Sequence, residues 1–315
     1  MRCKQFIVYL LVLFCLPTTL CAGGYSVLEL SAGGGWSSMG YKTNHDGQPS
    51  LTVKSMSSWN VQGHIGYAYM FTSHIGLGVG VDFARIGGGI QPDGTVRWLN
   101  VGDTEAEKYN HLSHLSSWKE KQEALLVELP ISIRFGSGPT NSRVEFTGEV
   151  GALISFPVKT KTHYSGTVTH DGDYGPWGLY LEDVANHGFY TTSFSGDPDI
   201  SMKSPLISAY AKLGIQMPIS EDEKIWFYAQ VYGAYAFTNA FSTGDKELGF
   251  RNDGKGQEAA HAFMADYTSM ADTKFVTKAN PVRVGVEVGI RFFIFPIKKY
   301  PCNCANDRYD NYEAY

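Results

Sequence analysis

No apolar run long enough to cross a bilayer as a helix occurs after the first few turns of this chain, which needs about 18–20 uninterrupted apolar residues for that purpose. Any membrane role therefore has to be carried by strands. Cysteine is scarce as well. Of the five, Cys3, Cys15 and Cys21 lie at the amino terminus, leaving only Cys302 and Cys304. That Cys-x-Cys spacing is short for an unstrained disulfide and too sparse for a zinc site. Charged residues make up only 18% of the chain. No Ser, His and carboxylate grouping stands out as a catalytic site, so a non-enzymatic protein is expected. Neither a cofactor, a metal nor a nucleic-acid partner is expected.

Glycine and aromatics are plentiful: 35 of 315 residues are Gly and 14% are aromatic, a mix suited to tight turns, interface girdles and small inward positions. The mean hydropathy of -0.18 is that of a soluble protein, as it is for barrels whose strands are half polar. The amino terminus reads as a secretory signal peptide over residues 1–22, with basic Arg2 and Lys4, an apolar stretch from Phe6 to Leu16 and a small-residue exit. Cleavage is expected after Ala22 or Gly23. Leu20 before Cys21 does not fit a lipoprotein site.

Strict period-two alternation then marks eight strands, near residues 25–36, 58–71, 75–83, 125–135, 143–154, 205–217, 225–237 and 282–295. Connections after the second, fourth and sixth are short and the others long, the pattern of an outer-membrane barrel whose termini both lie in the periplasm. Pro130, in the fourth run, lacks the N–H of a ladder bond and predicts a bulge or a shifted register. A soluble eight-stranded sandwich would use the same alternation with its faces reversed. The last run bears most on that choice. Val282, Val284, Val286, Val288, Ile290, Phe292 and Ile294 alternate with a row holding Arg283, Glu287 and Arg291. A small membrane barrel turns the first row to lipid and the second into its lumen.

The inward ionisable residues are then Glu29, Asp82, Glu128, Glu145, Glu149 and Glu287 against Arg134, Lys212, Arg283 and Arg291. In a narrow interior they should pair into a network that fills the barrel, with Trp226, Tyr228 and Tyr232 beside them. A proton or ion pathway is the functional alternative. Gly76, Gly78 and Gly80 share one strand face and cannot form a phosphate-binding loop. His111 and His114 have helical metal spacing, but no third ligand lies near them in sequence. The pairs Asp171/Asp173 and Asp197/Asp199 lack the ligand series of a calcium loop. The long connections hold Trp98, Trp118, Trp177, Tyr180, Tyr190 and Phe263, aromatic area enough to fold a cap or meet a partner.

Glu287, Gly289, Phe292 and Ile294 fit the terminal assembly signal of bacterial outer-membrane barrels, polar-x-Gly-x-x-aromatic-x-hydrophobic. With a Gly-rich first strand behind a signal peptide and a last strand ending Gly-x-Arg-Phe, the chain resembles the OmpA-like barrels of Bacteroidota-type outer membranes. The resemblance implies an all-β, transmembrane, antiparallel up-and-down barrel over residues 23–296, with outer-membrane lipid as its surroundings and the β-barrel assembly machinery as a partner during biogenesis. It departs from full OmpA by having no peptidoglycan-binding domain, only a periplasmic tail at 297–315, and by its longer outer loops. The expected function is an anchor for surface loops that recognise an envelope or surface protein, or that dock as an accessory subunit. A narrow pore is the alternative, and a surface hydrolase a third.

Overall fold

The computed structural model describes residues 24–44, 50–102, 107–136, 144–221, 223–241 and 269–294. The expected signal peptide, the tail with Cys302 and Cys304, and Phe263 lie outside the described residues. Eight long strands form one closed antiparallel ring. In ring order they are β1 (Tyr25–Ser38), β3 (Leu51–Met70), β4 (Ile75–Gly102), β5 (Lys108–Gly136), β6 (Glu145–Tyr174), β9 (Leu206–Pro218), β10 (Ile225–Ala236) and β12 (Val282–Ile294), which pairs back onto β1. Four short strands lie off the ring. A pair, β2 (Tyr41–Thr43) with β11 (Val276–Ala279), forms a separate ribbon, and β7 (Leu179–Leu181) and β8 (Thr191–Gly196) edge onto β6.

Closure settles the choice between barrel and sandwich. Along β12, Val282, Val284, Val286, Val288, Phe292 and Ile294 are exposed on the outside, whereas Arg283, Glu287 and Arg291 are buried. Leu77 and Phe83 of β4, Ile131 and Ile133 of β5, Phe146 of β6 and Leu213 of β9 extend the apolar face around the ring. On β5 this belt runs from Phe135 to Leu125. Ten steps of about 3.4 Å at a tilt of about 40° give a height of about 26 Å, the thickness of the lipid-facing band of a transmembrane barrel. The molecule is a transmembrane, eight-stranded, up-and-down β-barrel.

Three findings differ from the sequence pattern. The long connection after the third expected strand is mostly strand: β4 and β5 stay paired from Ile75↔Phe135 up to Gly102↔Lys108, and β6 follows β5 as far as Asp173. The barrel thus carries a tall sheet of three strands beyond the lipid belt. Second, Pro130 sits in unbroken register. Val79↔Ile131 and Asp82↔Glu128 flank it without an extra residue, and opposite β6 it pairs normally with Leu153. Only the β4 bridges at Gly80 and Val81 lapse, so the strand accepts one missing donor rather than a bulge. Third, Gly289 has a packing role of its own, because a Cβ there would overlap the Leu30 carbonyl oxygen of neighbouring β1.

The interior changes character with height. Within the lipid belt it is polar. Above it lies an apolar layer of Met39, Ala84, Ile86, Leu126, Leu206 and Phe241, and higher still a second apolar cluster built on Leu51, Ile90, Val96, Trp118, Val168 and Phe275.

Candidate functional site

The inward rows converge at the level of the membrane. Glu29 of β1 receives both Arg134 of β5 and Arg291 of β12. Arg134 also approaches Glu149 of β6 at 3.5 Å, and Tyr210 donates its hydroxyl proton to Glu149. Glu128 is held by Arg283 at 2.5 Å and Ser155 at 2.6 Å. Glu287 is a hub: Lys212 Nζ lies at 3.0 Å, Ser31 donates at 2.7 Å, Gln62 at 2.8 Å, Gln230 at 3.0 Å and Tyr228 at 3.3 Å. Arg291 also stacks over the Tyr228 ring at 4.2 Å. Through these ion pairs and neutral donors, each of these carboxylates keeps partners that replace lost water.

Two of the ten expected residues are held by groups outside that set. Asp82 pairs with His64 of β3, and Glu145 accepts from Gln216 at 2.9 Å. Sequence reasoning left His64 out of the ionisable set, although its parity on β3 places it inward beside Asp82. The assembly-signal residues split by face. Glu287 is the lumen hub, whereas Phe292 and Ile294 face outward.

Little space remains between these side chains. A cavity of about 20 Å³ lies beside Glu128 and Arg283, one of about 10 Å³ beside Asp82 and Lys212, and one of about 30 Å³ at the turn end beside Arg134 and Arg291. These volumes are the size of a water or two. Above them, Glu120 of β5 accepts from Ser269 and from the Met270 backbone N–H at 2.9 Å, and Gln122 accepts from Tyr41. These bonds tie the ribbon β2–β11 and its preceding turn into the interior as a plug. Neither Glu120 nor Gln122 stood out in the sequence, because their acceptor roles depend on donors 149 and 81 residues away.

The expected recognition aromatics fall into three groups. Trp177 is 69% exposed and Tyr180 45%, both at the tip beyond β6, and Tyr190 is half-buried. Trp98 packs partly against the upper apolar cluster. Trp118 requires correction as a recognition residue. It is buried in that cluster and stacks on Tyr164 at 5.4 Å, because the inward row of β5 runs through Leu126, Ala124, Gln122 and Glu120 to it without a change of parity. Strand geometry also separates His111 from His114. Three residues apart on β5, they take opposite faces: His111 is buried against His170 at 3.1 Å, and His114 pairs outside with Asp171 at 2.8 Å. Asp173 faces Arg97 and Asn110, and Asp197 meets His163. Among the described residues, no group of three His, Cys, Asp or Glu side chains is placed to hold a metal ion.

Fold and interior together define the class: a transmembrane barrel with a plugged polar lumen and a tall extramembrane sheet. No protein-family model and no curated relative matches the chain. Solved structures similar to it include the outer membrane protein OprG from Pseudomonas aeruginosa, at 13% identity over 87% of this chain and 97% of that one with a TM-score of 0.35. Neisserial surface protein A is similar at 12% identity over 86% and 99%, TM-score 0.32. The Ail attachment protein of Yersinia pestis, in complex with a heparin analogue, matches at 10% identity over 86% and 100%, TM-score 0.25. Likeness this distant carries nothing about activity.

Proposed function

We propose that this protein is a non-enzymatic integral outer-membrane barrel whose spanning part is a closed anchor and whose tall sheet presents a recognition surface to a protein of the envelope or cell surface. One observation carries the reading: β4, β5 and β6 continue as paired strands well past the lipid belt and end in the exposed Trp177, Leu179 and Tyr180. Anchoring alone needs only strands of about 9–11 residues, as β9, β10 and β12 nearly are. A rigid sheet that lifts exposed aromatics from the membrane fits recognition, because such side chains contribute large contact area at small entropic cost. The short turns face the periplasm and the sheet faces outward. The paired charges and water-sized cavities argue against the narrow pore.

Pull-down from gently solubilised membranes tests the reading. Trp177→Ser with Tyr180→Ser should leave a barrel that inserts and stays heat-modifiable while an envelope protein found with the unaltered chain is lost. An unchanged partner set would move the site to the tail at 297–315.

A further inference from the structure

We propose that the outward face of β4, β5 and β6 just above the lipid belt binds the phosphate groups of a phosphorylated glycolipid in the outer leaflet. The proposal rests on the outward orientation given above. On β5 the outward row changes at Leu125 from Phe135, Ile133 and Ile131 to Glu123, Lys121 and Lys119. On β6 it changes after Val158, which is 62% exposed, to Lys159, Lys161 and His163. On β4 it changes after Phe83 to Arg85. The register brings these together: Leu125 lies opposite Lys159, Glu123 opposite Lys161 and Lys121 opposite His163. Directly paired residues stand about 5 Å apart and diagonal ones about 7–8 Å, so Lys121, Lys159 and Lys161 can reach one or two phosphates together.

The carboxylates of the patch are already engaged. Glu123 holds Arg85 at 2.6 Å and Asp197 holds His163 at 2.8 Å. Among the described residues no carboxylate is within ion-pair distance of Lys119, Lys121, Lys159 or Lys161. Four free ammonium groups on one face of a chain with a net charge of -5 make a local anion site, not a general basic surface. Height selects the ligand. Lys159 starts level with the last exposed apolar residues, and Lys121 lies four residues, about 10 Å, further out, which is the depth of a headgroup layer. A soluble anion would gain nothing from the adjoining Leu125 and Val158, whereas an acyl chain would lie against them as its phosphate meets the lysines. The adjoining rim is different. There Trp36 of β1 packs in a tilted pair with Trp59 of β3, ring centroids 5.4 Å apart, as in an aromatic girdle.

The full chain and a Lys119→Gln, Lys121→Gln, Lys159→Gln, Lys161→Gln variant, both folded in neutral detergent, would be titrated with bis-phosphorylated lipid A, with phosphatidylcholine and with inorganic phosphate, and bound lipid counted by native mass spectrometry. The unaltered chain should hold one lipid A at least tenfold more tightly than phosphatidylcholine, weakening with salt. The variant, folded by its heat-shifted mobility, should lose that preference. Equal lipid A binding by the variant, or displacement by millimolar phosphate, would overturn the proposal. A misfolded variant would be replaced by Lys121→Gln with Lys161→Gln, for which a several-fold loss is expected and no loss overturns it. Micelle binding does not depend on orientation. Labelling of Lys108, exposed at the far end of the sheet and outside the patch, on intact cells by an impermeant amine reagent therefore tests the outward reading separately, and protection of Lys108 there with binding intact in micelles would overturn that reading and the leaflet assignment alone.

Discussion

Below Leu125, β5 turns Phe135, Ile133 and Ile131 outward and Arg134, Ser132 and Glu128 inward; above it, the same strand turns Lys121 and Lys119 outward and Trp118 inward. Neighbouring strands change at the same height, with Arg85 on β4 and Lys159 on β6 following the last lipid-facing residues. The two regions share hydrogen-bonded strands and differ in what surrounds them. Lipid outside makes an apolar surface free of cost and forces the interior polar groups to satisfy one another. Water outside restores the ordinary arrangement, with an apolar core of Ile90, Val96, Trp118 and Val168 under a charged surface. The layer of Ala84, Ile86, Leu126 and Phe241 marks the crossover and keeps the lower charges from solvent.

The largest effects come from damaging each interior in its own currency. Arg283→Met would leave Glu128 buried without its cation, a cost of about 3–5 kcal/mol. Trp118→Ala would empty the upper core at a similar cost of about 3–5 kcal/mol. The first should lower the denaturant midpoint of the barrel's heat-modifiable form. The second should spare that form and instead open the sheet to limited proteolysis. If both variants unfold the same region, the two interiors are one cooperative unit.

An outward pair sharpens the contrast. Val286→Arg puts a charge against lipid and should cost roughly 2–4 kcal/mol near the midplane, whereas Lys121→Leu, on the outward face above the belt, should change stability by less than about 0.5 kcal/mol. Folding yield and denaturant titration in vesicles read both. A harmless Val286→Arg would mean that the apolar row does not meet lipid.

The smallest expected effect is confined to the sheet and depends on pH. Burial first, and then the neighbouring His170, holds His111 down to about 3; burial and then His114 hold His170 down to about 4. The unfolded chain takes up protons near pH 6.5 that these folded imidazoles refuse. The stabilisation is therefore complete above about pH 6.5 and is lost as pH falls from there towards 4, by roughly 2 kcal/mol per histidine at pH 5. Protease cleavage of the sheet should quicken between pH 7.5 and 5.0, and His111→Phe should blunt the change. A cleavage rate independent of pH would show that the pair is solvated.

The lipid-spanning strands were legible because their alternation is strict, and the ten inward ionisable residues are all buried. Above the belt, one extra residue on β5 between Ser116 and Lys119 shifts that strand's parity, and Ser117 within it takes a φ of 56°. The run Gly87-Gly88-Gly89 carries no side-chain pattern at all. Residues 84–124 consequently read as a loop, and Trp118 as a surface aromatic. Pro130 misled for a related reason: a proline signals one missing donor, and a strand paired on its other edge can absorb that loss without changing register.

The sequence by itself determined which residues of each spanning strand share a face, since side chains alternate with a period of two; closure of the ring decided that the apolar face is the outer one. The sequence also determined that the inward charges had to meet one another. Only the tertiary structure decided which ones do. Glu29 joins Arg134 and Arg291, and Glu287 joins Lys212, across separations of 75 to 262 residues. Parity gives each residue a side, whereas ring closure and strand register give it a height and a neighbour across the lumen.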